Sequence, residues 1–149
     1  MPITLEFEST LPVSPERAWA WITHVDYLRE EMRPWLWMSI PRDIRSLEDF
    51  SFAPGRPLFT SWLWLFGCLP LGTSRLTLQA LTPGIGFIEE SPMTGMRLWR
   101  HERNLHAVSG GTRIVDRLTV EPLFGNRAVK VFLLLFFSGR HRTLRRRAS

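Results

Sequence analysis

Residues 126–147, NRAVKVFLLLFFSGRHRTLRRR, leave few folds open to this chain. They hold no Pro, carry an apolar run from Val131 to Phe137 and end in a cluster of Arg, so they predict one long helix. The stretch before them, roughly 57–121, reads as strand after strand with no helix. A long helix must bury an apolar face. The only partner on offer is one curved antiparallel sheet. A helix lying across such a sheet tends to leave a cavity, and cavities of that kind hold apolar ligands.

The rest of the chain supports this order. Over 3–11, Ile3, Leu5 and Phe7 alternate with Thr4, Glu6 and Glu8, the pattern of a half-buried strand. Ser14 is a good N-cap, and Pro15 suits the first helical position, where its missing N–H would be unpaired anyway. Ala18, Trp19, Ile22 and Val25 then fall at helical spacing. A second short helix is expected over 25–32, with Tyr27, Leu28 and Met32 inward, ending before Pro34. Trp35, Trp37, Met38 and Ile40 suggest a short strand, and Pro41, Arg42 to Asp49 and Pro54-Gly55 a loop and turn. Strands follow at about 57–66, 74–82, 85–91, 96–108 and 112–121. Turn signals separate them at Pro70/Gly72, Pro83-Gly84, Pro92 to Gly95 and Ser109-Gly110-Gly111. The order β-α-α-β(multiple)-α with short links predicts an α+β fold, a curved antiparallel sheet gripping a C-terminal helix, as one domain over 1–149.

At this length a chain buries about 70% of its unfolded surface and needs no disulfide or metal to fold. The lone Cys68 cannot form an internal bridge, which suits a reducing, cytoplasmic setting. The N-terminus, MPITLEFEST, has no basic start and no apolar core, so no signal peptide is expected. The apolar runs fall short of the roughly 20 residues a spanning helix needs. The formal charge is +5, but Arg140, Arg142, Arg145, Arg146 and Arg147 account for it, and the body of the chain is neutral. Cations favour a helix C-terminus, so a solvated helix end is the plainer reading, ahead of an acidic partner or membrane surface. Charge confined to a tail, with no recognition motif, argues against nucleic acid. No nucleophile elbow, phosphate-binding Gly loop or metal-spaced cluster is present, so no cofactor or metal is expected.

Four segments carry a resemblance: Leu11-Pro-Val-Ser-Pro-Glu-Arg-Ala-Trp19, Phe87-Ile-Glu89 leading to Trp99-Arg-His101-Glu, Gly111-Thr-Arg-Ile-Val-Asp116-Arg, and a last helix closing on Arg140-His-Arg142-Thr-Leu144. In this order the chain resembles the START/Bet v 1-like superfamily of helix-grip domains, and within it the bacterial polyketide cyclase/dehydrase and lipid-transport (SRPBCC) group. The resemblance implies a cavity between sheet and helix, and it marks His101 and Asp116 as recurrent positions. The turn Ser91 to Gly95 and the uniformly apolar run Phe132 to Phe137 depart from close relatives, and both lie where a ligand entrance is expected.

Candidate ligand-binding residues follow. Trp62, Trp64, Phe66 and Trp99 lie on strands and are candidate aromatic lining, against ordinary core. Val129, Phe132, Leu133, Phe136 and Arg140 form one stripe of the last helix, leaving Val131, Leu134, Leu135 and Phe137 in need of other cover. An Asp on the strand face of Ile114, Leu118 and Val120 needs a partner, and His101 or a nearby Arg could supply it across the 109–111 hairpin. Glu89 joins His101 and Asp116 as a candidate acid–base group, against a structural pair and an exposed strand end. Arg75 and Arg100 are candidate carboxylate anchors, more simply read as surface.

Three functions remain open at this point. The first is binding or carriage of a lipid, isoprenoid or polyketide-like molecule. The second is a cyclase/dehydratase-type enzyme using the same cavity. The third is a domain that docks on a copy of itself, another protein or a membrane through the outer face of the helix, Leu133 to Phe137.

Overall fold

The structure, a computed structural model, describes residues 2–49 and 53–148. The expected domain over 1–149 also includes residues 1, 50–52 and 149, which lie outside the described residues. Strand β1 (Ile3–Leu11) leads to helices α1 (Pro15–Thr23) and α2 (Val25–Met32). The short β2 (Leu36–Met38) and a 3-10 turn (Leu47–Asp49) follow. Then come β3 (Pro57–Leu65), β4 (Leu69–Thr82), β5 (Gly86–Glu90), β6 (Met96–Val108), β7 (Gly111–Pro122) and helix α3 (Asn126–Ala148). The seven strands form one antiparallel sheet in the order β1-β7-β6-β5-β4-β3-β2. The α+β helix-grip expectation therefore holds.

Local chemistry sets the boundaries. The Ser14 hydroxyl accepts from the Arg17 N–H and starts α1, with Pro15 in its first turn. His24 caps α2 through its ring nitrogen, which accepts from the Asp26 N–H. One turn is misplaced by the sequence pattern: Pro70 and Gly72 lie inside β4, which starts at Leu69 rather than at 74. The chain reverses earlier, at Phe66 and Gly67, both with positive φ, a conformation Gly67 adopts without strain. The hairpin at Ser109-Gly110-Gly111 forms as expected. Gly111 has a second duty, since a Cβ there would lie 2.0 Å from the Leu11 carbonyl oxygen, so only Gly lets β1 approach β7.

Most of the buried apolar residues among those described fall into two clusters. One gathers Trp19 and Ile22 of α1 with Leu11, Leu76, Leu78, Phe87, Leu105, Ile114 and Leu144. The other gathers Trp99, Leu118 and Val120 of the sheet with Leu133, Phe136 and Phe137 of α3. Phe137 stacks on Phe7 of β1 at 5.3 Å between ring centres, which fastens α3 along the β1 side of the sheet. The far side of the helix is left facing an open volume.

Candidate functional site

That volume is a cavity of about 580 Å³. Leu76, Leu78, Phe87 and Trp99 of the sheet form one wall, and Leu28 and Met32 of α2 with Met38 of β2 form another. Helix α3 supplies Val129, Phe132, Leu133, Phe136 and Arg140. Counted from Val129 these positions are i, i+3, i+4, i+7 and i+11, and so form one helical stripe. The turn residues Met93, Thr94 and Gly95, with Leu71, Leu123 and Phe124, line the end of the cavity that meets solvent, and Phe124 is 81% exposed.

The expected lining divides cleanly. Trp99, His101, Val129, Phe132, Leu133 and Phe136 all line the cavity. Trp62, Trp64 and Phe66 do not. Along β3 the inward positions are Phe59, Ser61 and Leu63, so the alternation turns Trp62 and Trp64 outward, and Trp62 is 58% exposed. Phe66 lies past the strand in the positive-φ turn, packed on Trp35. Arg75 is exposed, and Arg100 pairs with Glu90 and Glu102 at the surface, so neither reaches the cavity. Phe137, counted among the outer residues of the last helix, is fully buried, whereas Val131, Leu134 and Leu135 are exposed.

Beneath the cavity lies a buried ionic network. The strand period puts Trp99, His101, Arg103 and Leu105 on one face of β6, and Ile114, Asp116, Leu118 and Val120 on the matching face of β7. Register sets Arg103 directly opposite Asp116. The carboxylate takes four bonds. Its Oδ1 accepts from Arg103 Nε at 2.7 Å and His101 Nε2 at 2.8 Å. Its Oδ2 accepts from Arg103 Nη2 at 2.7 Å and His141 Nε2 at 2.6 Å. Arg103 Nη2 also donates to Glu31 Oε1 of α2 at 2.6 Å, and Arg140 Nε donates to the same oxygen at 2.9 Å. One network thus ties α2, β6, β7 and α3 together.

Electrostatics agree with ionised carboxylates. Burial by itself raises the Asp116 pKa, but the Arg103 guanidinium and His101 more than offset it and hold the carboxyl well below its usual range. Glu31 is likewise lowered, the effect of burial being overcome by Arg103 and Arg140. Burial works against the charge on Arg103, yet Asp116 and Glu31 raise its pKa above the ordinary arginine value. The histidine tautomers follow from the partners. An ionised Asp116 only accepts, so both His101 and His141 carry a proton on Nε2. Ser9 Oγ accepts from Arg145 Nη1 at 2.9 Å and shares a hydrogen bond with His141 Nδ1 at 2.6 Å.

His101 therefore turns Nδ1 toward Glu89, its cross-strand neighbour, with Nδ1 3.8 Å from Glu89 Oε1. The other Glu89 oxygen accepts from Ser91 Oγ at 2.6 Å. Glu89, His101, Ser74 and Arg140 form the polar part of a wall that is otherwise apolar. Sequence reasoning grouped Glu89, His101 and Asp116 and missed Glu31, Arg103 and His141. Arg103 carried a readable signal, because it sits between His101 and Leu105 on the same alternating face.

A family model described as "Domain of unknown function (DUF8410)" matches residues 9–148. No curated protein matches the sequence. Solved structures do match. Ms6760 from Mycobacterium smegmatis is 11% identical, with TM-score 0.71, over 98% of this chain and 90% of that one. Ara h 8.0201 is 17% identical, with TM-score 0.60, over 97% and 99% of the two chains. The di-domain ARO/CYC StfQ from the steffimycin biosynthetic pathway is 11% identical, with TM-score 0.67, over 99% of this chain and 51% of that one. At these identities the likeness is one of fold alone, a curved antiparallel sheet gripping a C-terminal helix.

Proposed function

The chain belongs to the DUF8410 domain family, and we propose that this member binds and carries a hydrophobic small molecule, of lipid, isoprenoid or polyketide-like character, between its sheet and α3. The cavity carries this reading. Its volume of about 580 Å³ falls within the roughly 300–1,000 Å³ of pockets that hold drug-sized ligands, and its walls are almost wholly apolar. Protein interiors ordinarily leave few voids larger than a water molecule, so an open apolar volume of this size gives up packing stability. A ligand burying about 300 Å² of apolar surface would gain on the order of 7 kcal/mol before the entropy of association is subtracted. The helix-grip neighbours support the reading through the fold they share. Carriage in the cytoplasm requires no cofactor, metal or nucleic acid.

The test is native mass spectrometry and lipid extraction of protein purified from its own host, followed by displacement of a fluorescent fatty-acid probe. Val129→Trp fills the α3 side of the cavity and should weaken probe binding at least tenfold. Absence of any co-purified or displaced apolar molecule would refute carriage.

A second reading, a cyclase or dehydratase, is favoured by one observation, the ring nitrogen of His101 facing Glu89 at the cavity wall. Loss of a measured turnover in His101→Ala with ligand affinity intact would favour it, since only a transition-state interaction would then be lost. Docking through α3 rests on exposed Val131, Leu134 and Leu135, without Phe137. No described helix is long and apolar enough to cross a membrane.

A further inference from the structure

We infer that the polar corner formed by Glu89 and His101 holds an uncharged hydroxyl group on an otherwise apolar ligand. The inference rests on the carrier reading above and names the headgroup its cavity takes.

Glu89 Oε1 and His101 Nδ1 lie 3.8 Å apart, too far to bond each other. Among the described residues no hydrogen bond reaches either atom, while the other atom of each side chain is engaged, Oε2 by Ser91 and Nε2 by Asp116. Both residues line the cavity and both are deeply placed, with side chains 12% and 3% exposed. A single oxygen about 2.8 Å from each atom fits between them, at a narrow angle of about 85°.

The chemistry of the two atoms selects the group. With Nδ1 bare, both atoms are acceptors and require a donor. With a proton on Nδ1, one atom donates and the other accepts. A hydroxyl serves either state: it bridges the two atoms when Nδ1 carries a proton, donating to Glu89 and accepting from His101, and it gives its one proton to one of the two acceptors when Nδ1 is bare. An ether or ester oxygen only accepts. A carboxylate only accepts and brings a negative charge against Glu89. The cations Arg103 and Arg140 are already matched by Glu31 and Asp116, so no unmatched positive charge is left to hold an anionic head. An ammonium head carries donors and no acceptor, so it matches the pair only while Nδ1 is bare, and the amine in the series below tests that case.

The experiment displaces the neutral probe N-phenyl-1-naphthylamine from the full chain with dodecan-1-ol, its methyl ether, dodecanoate and dodecylamine. The alcohol should compete at about tenfold lower concentration than the ether, the worth of about one net hydrogen bond. Dodecanoate and dodecylamine should both be weaker than the alcohol. In Glu89→Leu the alcohol and the ether should compete within about twofold of each other, with ether binding retained. Glu89→Gln, which keeps an amide oxygen, should keep part of the preference. Equal competition by alcohol and ether in the unaltered protein overturns the headgroup assignment and leaves carriage standing. Tightest binding by the carboxylate or the amine overturns it too, as does a full alcohol preference in a folded Glu89→Leu. If neither the probe nor any member of the series binds, carriage itself fails and the headgroup assignment falls with it.

Discussion

Replacing Asp116 by Asn changes one atom and removes the charge on which the buried network converges. Asn keeps a single acceptor oxygen and puts an NH₂ where Arg103 Nη2 and His141 Nε2 now donate. Arg103, fully buried, is left with Glu31 as its one carboxylate, and Glu31 is already shared with Arg140. Breaking one side of a buried ion pair costs about 3–5 kcal/mol. Unfolding entropy of about 2.1 cal/mol/K per residue, taken over 149 residues, gives about 0.3 kcal/mol per kelvin at the midpoint. The midpoint should therefore fall by about 10–16 °C, read by differential scanning calorimetry at neutral pH. Replacing Arg103 as well, in Asp116→Asn with Arg103→Met, should recover part of the loss, because an unpaired buried charge costs more than an absent pair. A fall under about 3 °C for the single variant would refute the assignment of Asp116 as the centre of the network.

Acid should act through the same carboxylates. Asp116 and Glu31 are both lowered in the fold, so the unfolded chain binds more protons as pH falls through the ordinary values of 3.8 and 4.5. Their contribution is whole above that range and lost progressively below it, so the gap in midpoint between the unaltered chain and Asp116→Asn should narrow from about pH 5 to about pH 2. Trp62→Ala should leave probe affinity unchanged, since its ring is on the outer face; a tenfold loss would return Trp62 to the cavity. Leu134→Lys with Leu135→Lys should abolish any self-association or vesicle binding by α3 without lowering the midpoint by more than a few degrees. Persistence of that binding in sedimentation would move the docking surface elsewhere.

The fold was readable in the sequence because its signals are local. Alternation in β1, the Ser14-Pro15 start of α1 and the Gly110-Gly111 hairpin each depend on a few adjacent residues. The stripe of α3 was readable because helical spacing is fixed. The β3–β4 turn was missed because Pro70 and Gly72 outweighed Gly67 as punctuation, although a strand tolerates Pro and Gly where its register is irregular, as it is here at Leu63/Trp64. The lining by Trp62 and Trp64 failed for a different reason: alternation tells which residues share a face and not which face is inside. Asp116 stood out as a polar residue among apolar ones, but Glu31 and His141 did not. Glu31 sits in a charged helix and His141 in an Arg-rich one, where each looks like solvated surface until the two helices close on the sheet.

Helix α3 is fastened unevenly, and this bears on how a guest enters. Its buried residues are Leu133, Phe136, Phe137, Arg140, His141, Thr143 and Leu144, and its first seven residues contribute none. Arg140 and His141 join the ionic network, and Arg145 reaches Ser9. The helix is a cantilever, clamped from Leu133 onward and held more lightly toward Asn126, where the partly buried Val129 and Phe132 overhang the cavity. Amides over 126–132 should exchange with solvent faster than those over 136–144, and filling the cavity should slow the first set alone. Hydrogen exchange along this one helix then reports occupancy directly, before the identity of the guest is known.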